Sequence, residues 1–286
     1  MGADGKSSTT AVAHATAWLI GRTDHVETNL KGKTAIVSGA ASGIGYATVQ
    51  LLLAEGANVV GGDLDTSSLT DLNERVLPVQ ADLSTEQGNA DLVTAALDRF
   101  EAVDVLVNNV GTFPYREGFL STTIEDWRKA IEINFLSAVR LTRLALPSMI
   151  EAGSGSIVTV ASECGRQPDV FFVDYSVTKA ALINLSKSWA NEFGPMGIRS
   201  NIVSPGPTRT AQWDKAGGFG DSLAEEYGMD KESAIKHFAT EVRKLPVGHI
   251  GAPEDVAAAI VFLASDIAKQ VTGAEYTVNG GSYTAA

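Results

Sequence analysis

One stretch of sequence decides the fold: Ser38-Gly39-Ala40-Ala41-Ser42-Gly43-Ile44-Gly45, which follows a β-branched run and leads into a helical pattern. A strand, a glycine-rich turn and a helix in this order begin a βαβ unit. Glycines let the backbone and the helix N-terminus approach a pyrophosphate, whose charge the helix dipole favours. The spacing, G-x3-G-x-G, differs from the better-known G-x-G-x-x-G. We predict a dinucleotide-binding turn with cofactor contacts at Gly39, Ser42, Gly43, Ile44 and Gly45; a glycine turn that serves only the backbone is the alternative.

The rest of the chain repeats this alternation of strands and helices. Strands are predicted at Thr34–Ser38, Ala57–Gly62, Val76–Gln80, Val103–Val107, Ser156–Ala161, Ile198–Val203 and Glu275–Val278. Helical patterns long enough for right-handed crossovers lie at Ile44–Glu55, Glu86–Phe100, Ile124–Ala152, Val173–Gly194 and Pro253–Ala264. The pattern predicts an α/β fold: one Rossmann-type, doubly wound parallel sheet of seven strands with helices on both faces. Its expected strand order is 3-2-1-4-5-6, with the seventh strand at the edge.

No repeat or low-complexity linker divides the chain, so we expect one domain. Residues 1–30 are predicted to form an N-terminal arm, and residues 31–286 a dinucleotide-binding catalytic domain. The segment 207–251 breaks the rhythm, being far longer than the usual connection of about 2–6 residues. It follows the sixth strand at the carboxyl edge of the sheet, where ligands bind, and we predict that it is a lid.

Charge and cysteine content exclude several classes of partner. The 286 residues carry a net charge of -12 and no long Lys/Arg run, which argues against nucleic acid or an anionic membrane as the main partner. The single cysteine, Cys164, cannot form an internal disulfide, and with four scattered histidines it does not supply a zinc site. No stretch has the roughly 18–20 apolar residues of a membrane span. We expect a cytoplasmic protein with no metal.

An aspartate at the end of the second strand bears on the choice of cofactor. Asp63 lies 18 residues after Gly45, where a carboxylate can bind the adenosine ribose hydroxyls and repel a 2′-phosphate. No Arg or Lys lies in the glycine turn or at residues 62–65 to bind that phosphate. We therefore predict NAD rather than NADP as the cofactor. The alternative is that Asp63 or Asp65 is a solvated turn residue.

The catalytic candidates are a tyrosine and a lysine on one helix, with a serine before it. Tyr175-Ser176-Val177-Thr178-Lys179 opens a helical pattern, and the i, i+4 spacing places phenol and ammonium on the same face. A phenol with a pKa of about 10 is a poor base at neutral pH, and a nearby cation lowers that pKa. Ser162, 13 residues before Tyr175, follows the fifth strand and can hydrogen-bond a substrate carbonyl. Alone, the Tyr/Lys spacing also fits an exposed helical pair.

Two further motifs are Asn108-Asn109-Val110-Gly111 after the fourth strand and Ile133-Asn134 in the long helix. Taken together, the motifs resemble those of the short-chain dehydrogenase/reductase family, and the resemblance covers about Lys33 to Ser282. The resemblance implies a catalytic tetrad of Asn134, Ser162, Tyr175 and Lys179. It also implies cofactor contacts, beyond the glycine turn and Asp63, from Asp82, Leu83, Asn109, Gly111, Tyr175, Lys179, Pro205, Gly206 and Thr208. Asn279-Gly280-Gly281 stands where many members carry D-G-G, a departure that concerns the local turn and not the chemistry. The family further implies a homotetramer with two-fold axes.

The implied reaction interconverts a secondary alcohol and a ketone by hydride transfer. Tyr175 transfers the proton, and Ser162 orients the substrate oxygen. Lys179 lowers the pKa of Tyr175 and holds the nicotinamide ribose. Asn134 holds a water of the proton relay. We predict that Phe172 and, in the lid, Trp213 bind the substrate, which we expect to be a mostly apolar small molecule. The alternative for Trp213 is that the lid aromatics pack inward as the core of the lid.

Other functions fit the sequence less well. A hydrolase would need a G-x-S-x-G elbow with a partner histidine, and a nucleotide-sugar epimerase belongs to longer relatives with another glycine spacing. A non-catalytic dinucleotide-binding protein on the same fold would have lost the tetrad. A 3-oxoacyl-carrier-protein reductase would favour NADPH and a basic surface, whereas this chain has Asp63 and a net charge of -12.

Overall fold

A single parallel sheet organises the part of the chain that the structure describes. The computed structural model describes residues 27–282, so nearly all of the predicted N-terminal arm lies outside the described residues. The strands are β1 (Thr34–Ser38), β2 (Asn58–Asp63), β3 (Val76–Gln80), β4 (Val105–Asn108), β5 (Gly155–Val160), β6 (Ile198–Pro205) and β7 (Glu275–Val278). Their order is β3-β2-β1-β4-β5-β6-β7, and every neighbouring pair is parallel. The predicted fold class, strand number and strand order are confirmed.

Helices cover both faces of the sheet. They are α1 (Gly43–Ala54), α2 (Glu86–Phe100), α3 (Ile124–Ile131), α4 (Ser137–Ala152), α5 (Val173–Phe193) and, after the lid, α9 (Pro253–Ala264). On one face Val49 and Leu52 of α1 share a core with Ile260 of α9. On the other face Leu92 of α2 and Leu141 of α4 share a second core with the strands. The strands β1, β4, β5 and β6 are buried along nearly their whole length, so their sequences do not alternate between apolar and polar residues, whereas the edge strands β3 and β7 are partly exposed.

The long helix predicted over Ile124–Ala152 is interrupted. A π-helical turn, Glu132–Leu136, separates α3 from α4. The single continuous helix expected from the sequence was therefore wrong in detail, because a π turn inserts a residue into the helix without a proline or glycine to mark it. Such turns are frequent at functional sites, and this one contains Asn134.

The segment predicted as a lid is helical and closed at its base. It contains α6 (Ala211–Asp214), α7 (Phe219–Tyr227), α8 (Lys231–His237) and a π-helical turn, Phe238–Val242. Its two ends are joined by backbone hydrogen bonds, from Arg209 N to Gly251 O at 2.8 Å and from Gly251 N to Pro207 O at 2.9 Å. The segment leaves and rejoins the fold at the carboxyl end of β6.

No helix within residues 27–282 combines the length and the apolar character that crossing a membrane requires.

Candidate active site

The glycine turn between β1 and α1 requires glycine at three positions, Gly39, Gly43 and Gly45. Gly39 and Gly43 have φ angles of 64° and 51°, in the left-handed region that favours glycine. A Cβ on Gly45 would lie 1.9 Å from the carbonyl oxygen of Gly39, so α1 can approach the turn only because this residue has no side chain. Ser42 is the N-cap of α1, and its side chain does not cap the helix. The arrangement fits a pyrophosphate at the α1 N-terminus.

The loop after β4 is bonded directly to the glycine turn. Ser38 Oγ accepts hydrogen bonds from Asn109 N at 2.9 Å and Val110 N at 3.1 Å. The Asn109 side chain donates to the carbonyl oxygens of Ser38 and Gly39, both at 3.0 Å. Asn109, a predicted cofactor contact, thus uses its side chain to stabilise the turn that would hold the cofactor.

The two aspartates predicted at the adenosine end have different surroundings. Asp63 ends β2 beside the glycine turn, and its carboxylate accepts hydrogen bonds from Ala41 N at 3.0 Å and Leu64 N at 2.8 Å. Asp82 is exposed, and hydrogen bonds from the hydroxyl and backbone N of Ser84 hold the pKa of its carboxyl below the usual range. The side chain of Leu83 is buried in the core, and its carbonyl oxygen accepts a hydrogen bond from Asn89 Nδ2 at 2.9 Å.

Ser162, Tyr175 and Lys179 come together where β5 ends and α5 begins. Ser162 Oγ accepts a hydrogen bond from Cys164 N at 3.2 Å and caps a single helical turn, Glu163–Gly165. Burial raises the pKa of the Tyr175 phenol above its usual value, and the neighbouring Ser162 hydroxyl acts in the opposite direction. Burial lowers the pKa of Lys179 to about 8. Its ammonium lies 5.5 Å from the Tyr175 ring centroid and donates to Val160 O at 2.8 Å.

Asn134 completes this group from the π-helical turn. Its side-chain amide is bonded at both ends to the backbone of Thr112: Thr112 N donates to Oδ1 at 2.7 Å, and Nδ2 donates to Thr112 O at 2.9 Å. A Cβ on Gly111 would lie 3.1 Å from Asn134 Oδ1 and 3.5 Å from Lys179 Nζ. The structure therefore brings the four tetrad positions to one edge of the sheet, with Gly111 between two of them.

An aromatic group beside Tyr175 consists of Phe113, Tyr115, Phe171 and Phe172. Phe113 lies 5.8 Å from the Tyr175 ring and 6.3 Å from Phe172, measured between ring centroids. Tyr115 stacks on Phe171 at 5.1 Å and meets Phe172 edge-on at 6.3 Å. Phe172 therefore belongs to this aromatic group, and its contact with the substrate stays a prediction. Tyr115 was missed, although its position four residues after Gly111 in a loop at the sheet edge could have indicated it.

Trp213 lies in the core of the lid. The residue is 6% exposed and meets Phe219 and Phe238 edge-on, with centroid separations of 4.8 and 5.8 Å. Leu223 and Ile235 of the lid helices complete this cluster. The structure does not place Trp213 in the aromatic group beside Tyr175, and its position matches the alternative in which the lid aromatics pack inward.

The segment predicted to meet the nicotinamide end lies where β6 ends. Pro205 is buried, Gly206 N donates to Val278 O at 3.0 Å, and Thr208 Oγ1 donates to Gly206 O at 3.0 Å. A Cβ on Gly206 would lie 2.9 Å from Glu163 Oε2. The segment is therefore packed against the turn that Ser162 caps.

Two buried carboxylates next to tetrad residues were missed by sequence reasoning. Asp174 precedes Tyr175 and pairs with Arg116 at 2.8 Å, and Glu163 follows Ser162 and pairs with Arg243. The available signal was an acidic residue beside each catalytic position. The partners could not be read from the sequence, because they lie in loops far along the chain.

These features define the class: an oxidoreductase that binds a nicotinamide dinucleotide. Residues 39–283 match the family model described as Enoyl-(Acyl carrier protein) reductase. The chain belongs to the short-chain dehydrogenase/reductase family, and the resemblance seen in its motifs is confirmed.

Relatives from three sources share most of their length with this chain. A 3-oxoacyl-(acyl-carrier-protein) reductase of Thermotoga maritima is 34% identical over 260 residues, which is 88% of this chain and 98% of that protein. A cis-4-hydroxycyclohexanecarboxylate dehydrogenase of Sinomonas cyclohexanicum is 37% identical over 259 residues, 88% and 97% of the two chains. The crystal structure of L-sorbose reductase from Gluconobacter frateurii, complexed with NADPH and L-sorbose, matches with a TM-score of 0.84 at 32% identity, covering 91% and 100%. The chain is accordingly an enzyme of the family that acts on CH–OH groups.

Proposed function

We propose that this protein is an NAD-dependent dehydrogenase/reductase that interconverts a mostly apolar secondary alcohol and its ketone, with Tyr175 as the proton-transfer residue. The observation that carries the proposal is the meeting of Ser162, Tyr175 and Lys179 at the sheet edge that also holds the glycine turn. Parallel strands end together at this edge, so a dinucleotide bound at the α1 N-terminus would have these side chains within its reach.

Each tetrad residue has a separate task. When bound, the nicotinamide ring takes up or delivers the hydride. Tyr175 gives a proton to the ketone oxygen or takes it from the alcohol, and the Ser162 hydroxyl donates a hydrogen bond to that oxygen. Lys179 places a positive charge next to the phenolate, which favours the ionised form. Asn134 holds the loop at Gly111 and Thr112 in place through its bonds to the Thr112 backbone.

The proposed preference for NAD rests on Asp63. The carboxylate is fixed by two backbone N–H groups beside the glycine turn, so it cannot easily turn away from a 2′-phosphate. A 2′-phosphate bound beside this carboxylate would be repelled by its negative charge. The Gluconobacter frateurii relative was crystallised with NADPH, so a direct comparison of NAD and NADP as cofactors is the decisive measurement.

The proposed substrate class rests on the aromatic group beside Tyr175, in which Phe113, Tyr115 and Phe171 remain about half exposed. Exposed aromatic faces beside a catalytic group favour an apolar, cyclic or aromatic substrate. The name of the Sinomonas cyclohexanicum relative, which acts on a hydroxycyclohexane carboxylate, supports a cyclic alcohol.

A second candidate is a 3-oxoacyl-carrier-protein reductase, favoured by the Thermotoga maritima relative. An acidic carrier protein would need a basic docking surface. The net charge of -12 and the position of Asp63 speak against this function. Activity with NADPH on a 3-oxoacyl thioester, together with no activity on simple alcohols, would establish it instead.

We also propose that the protein is cytoplasmic and forms a homotetramer through its helices and its C-terminal edge. Apolar residues that α4 and α5 leave exposed, Leu144, Ile150 and Val177, support an interface there. Light scattering at micromolar concentration measures the mass. A monomer would contradict the tetramer without affecting the proposed chemistry.

The proposed function is tested by screening secondary alcohols, cyclic and linear, with NAD and following the absorbance of the reduced cofactor. Tyr175→Phe in the same screen is the control for chemistry at this site. Turnover by the wild type and its loss in the variant support the proposal. Equal rates in both would remove Tyr175 from the mechanism.

A further inference from the structure

A buried carboxylate directly follows the catalytic serine. Glu163 is 3% exposed, and one of its oxygens accepts a hydrogen bond from Arg243. Burial raises the pKa of Glu163, and the charge of Arg243 is the strongest effect in the opposite direction. A buried carboxylate without a partner is strongly destabilising, so Arg243 is the partner that allows the group to remain charged here.

Arg243 reaches this carboxylate from the end of the lid. It directly follows the π-helical turn Phe238–Val242. Its guanidinium also lies 3.9 Å from Asp169, the residue that caps the turn carrying Phe171 and Phe172. One side chain therefore connects the lid, the turn capped by Ser162 and the aromatic group beside Tyr175.

The carboxylate of Glu163 also has the side chains of Ser282 and Asn279 as neighbours, and both favour its charged form. Glu163 Oε2 and Asn279 Nδ2 are both buried, and neither has a hydrogen-bond partner within residues 27–282. A Cβ on Gly206 would lie 2.9 Å from Glu163 Oε2 and 2.7 Å from Asn279 Cβ, so both residues pack against the segment predicted to meet the nicotinamide. Their unpartnered atoms are an acceptor and a donor, and they complement each other.

The neighbouring carboxylate of Glu163 explains why residue 279 is asparagine, whereas many members of the family carry aspartate at this position. Asn279 Oδ1 accepts from Gly281 N at 3.1 Å, so the turn itself is intact and the amide nitrogen remains to face Glu163. Aspartate could also accept that backbone bond. It would, however, place a second negative group against a buried carboxylate, which is unfavourable.

We propose that a group of three side chains fixes the positions of the lid end and of the Pro205–Gly206 segment relative to Ser162. This group, called the Glu163 junction, consists of Glu163, Arg243 and Asn279. Glu163 is then a positioning residue, and the proposal rests on the proposed oxidoreductase function. It has a specific consequence: the residues at 163 and 279 must together supply one carboxylate and one amide.

The test is a double-mutant cycle of Glu163→Gln, Asn279→Asp and the exchanged pair Glu163→Gln/Asn279→Asp. Each single change leaves two amides or two carboxylates, whereas the exchanged pair restores one of each. We expect each single variant to lower kcat/KM for the alcohol, mainly through kcat, and to weaken NADH binding measured by fluorescence. The pair should recover about tenfold in kcat/KM, within the range measured for contacting residues. Asp104→Asn is the matched control, because Asp104 is a half-buried carboxylate that pairs with Lys33 at 2.8 Å at the amino ends of β4 and β1, the opposite edge of the sheet.

Tryptic cleavage of the lid gives a readout of anchorage that does not depend on catalysis. Both single variants should be cleaved faster than wild type, and the exchanged pair and Asp104→Asn should resemble wild type. Strictly additive single effects, or wild-type kinetics and cleavage in Glu163→Gln, would overturn the proposal. If Asn279→Asp does not fold, recovery of folded protein in the exchanged pair supports the junction, and failure of the pair contradicts it. If Tyr175→Phe remains active, the proposed function fails, while NADH binding and lid cleavage still decide on the junction.

Discussion

Arg116 donates two hydrogen bonds to one oxygen of Asp174, from Nε at 3.1 Å and from Nη2 at 2.8 Å. The other oxygen of Asp174 accepts from the backbone N of Tyr175 at 2.9 Å. Arg116 belongs to the loop that carries Phe113 and Tyr115, and its own backbone N donates to Phe171 O at 2.9 Å. The pair therefore joins the aromatic group to the first turn of the catalytic helix.

Arg116→Ala should destabilise the protein by about 3–5 kcal/mol, because it leaves the fully buried Asp174 without its cation. Urea unfolding followed by circular dichroism measures the loss. Arg128→Ala removes an exposed arginine whose nearest carboxylate is 3.9 Å away, and it should change the stability by less than about 0.5 kcal/mol. Equal effects of the two changes would show that the buried pair contributes no more than a surface pair.

Tyr175→Phe should lower turnover by roughly 10²–10⁴-fold, the range expected for a positioned acid or base. The ring remains, so NADH binding measured by fluorescence should be nearly unchanged. Tyr115→Phe removes the hydroxyl of an exposed tyrosine in the same aromatic group and serves as the control. The assignment fails if both variants turn over at the wild-type rate under conditions where chemistry is rate-limiting.

The rate of alcohol oxidation should rise with pH, because oxidation requires the phenolate and burial raises the pKa of Tyr175. At neutral pH the neutral phenol predominates, which suits proton donation in ketone reduction. The Ser162 hydroxyl lowers this pKa, so Ser162→Ala should be slower and its profile should move to higher pH. Profiles of kcat/KM in both directions test this. A shift to lower pH would contradict the assigned relationship between the two hydroxyls.

Asp63→Asn should narrow the preference for NAD over NADP, because it removes the charge that repels a 2′-phosphate while an amide oxygen can still accept a backbone bond. Separate kcat/KM values for the two cofactors measure the ratio. Asp65→Asn is the control, since that carboxylate caps the following turn through Ser67 N at 2.9 Å. A wild-type preference for NADP would refute the proposed role of Asp63.

Phe172→Ala and Trp213→Ala should separate substrate contact from lid stability. Phe172 belongs to the aromatic group beside Tyr175, so its loss should raise KM for apolar substrates with little change in lid cleavage by trypsin. Trp213 fills the lid core, so its loss should accelerate that cleavage. Unchanged KM in Phe172→Ala, or a clear preference of the wild type for charged polyols, would contradict an apolar pocket.

The fold and the position of the site follow from the sequence because their signals are local. The order of β-branched runs and helical patterns predicted the seven strands, and the strand order expected for a doubly wound sheet is the one observed. Parallel strands end at one edge, so motifs that follow them meet there: Gly39 after β1, Gly111 after β4 and Ser162 after β5. Tyr175 and Lys179 share a face of α5 through their spacing alone.

Tertiary structure decided the features that depend on partners far along the chain. Arg116 and Asp174 are 58 residues apart, and Glu163 and Arg243 are 80 residues apart. Trp213 packs in the lid core because Phe219 and Phe238 contact it there. Asn134 lies in a π turn, and its side chain is bonded to the Thr112 backbone. Hydrophobic periodicity reports which face of an element is buried, but it does not identify the residue that each buried polar group will meet, since that pairing forms only when the chain has closed on itself.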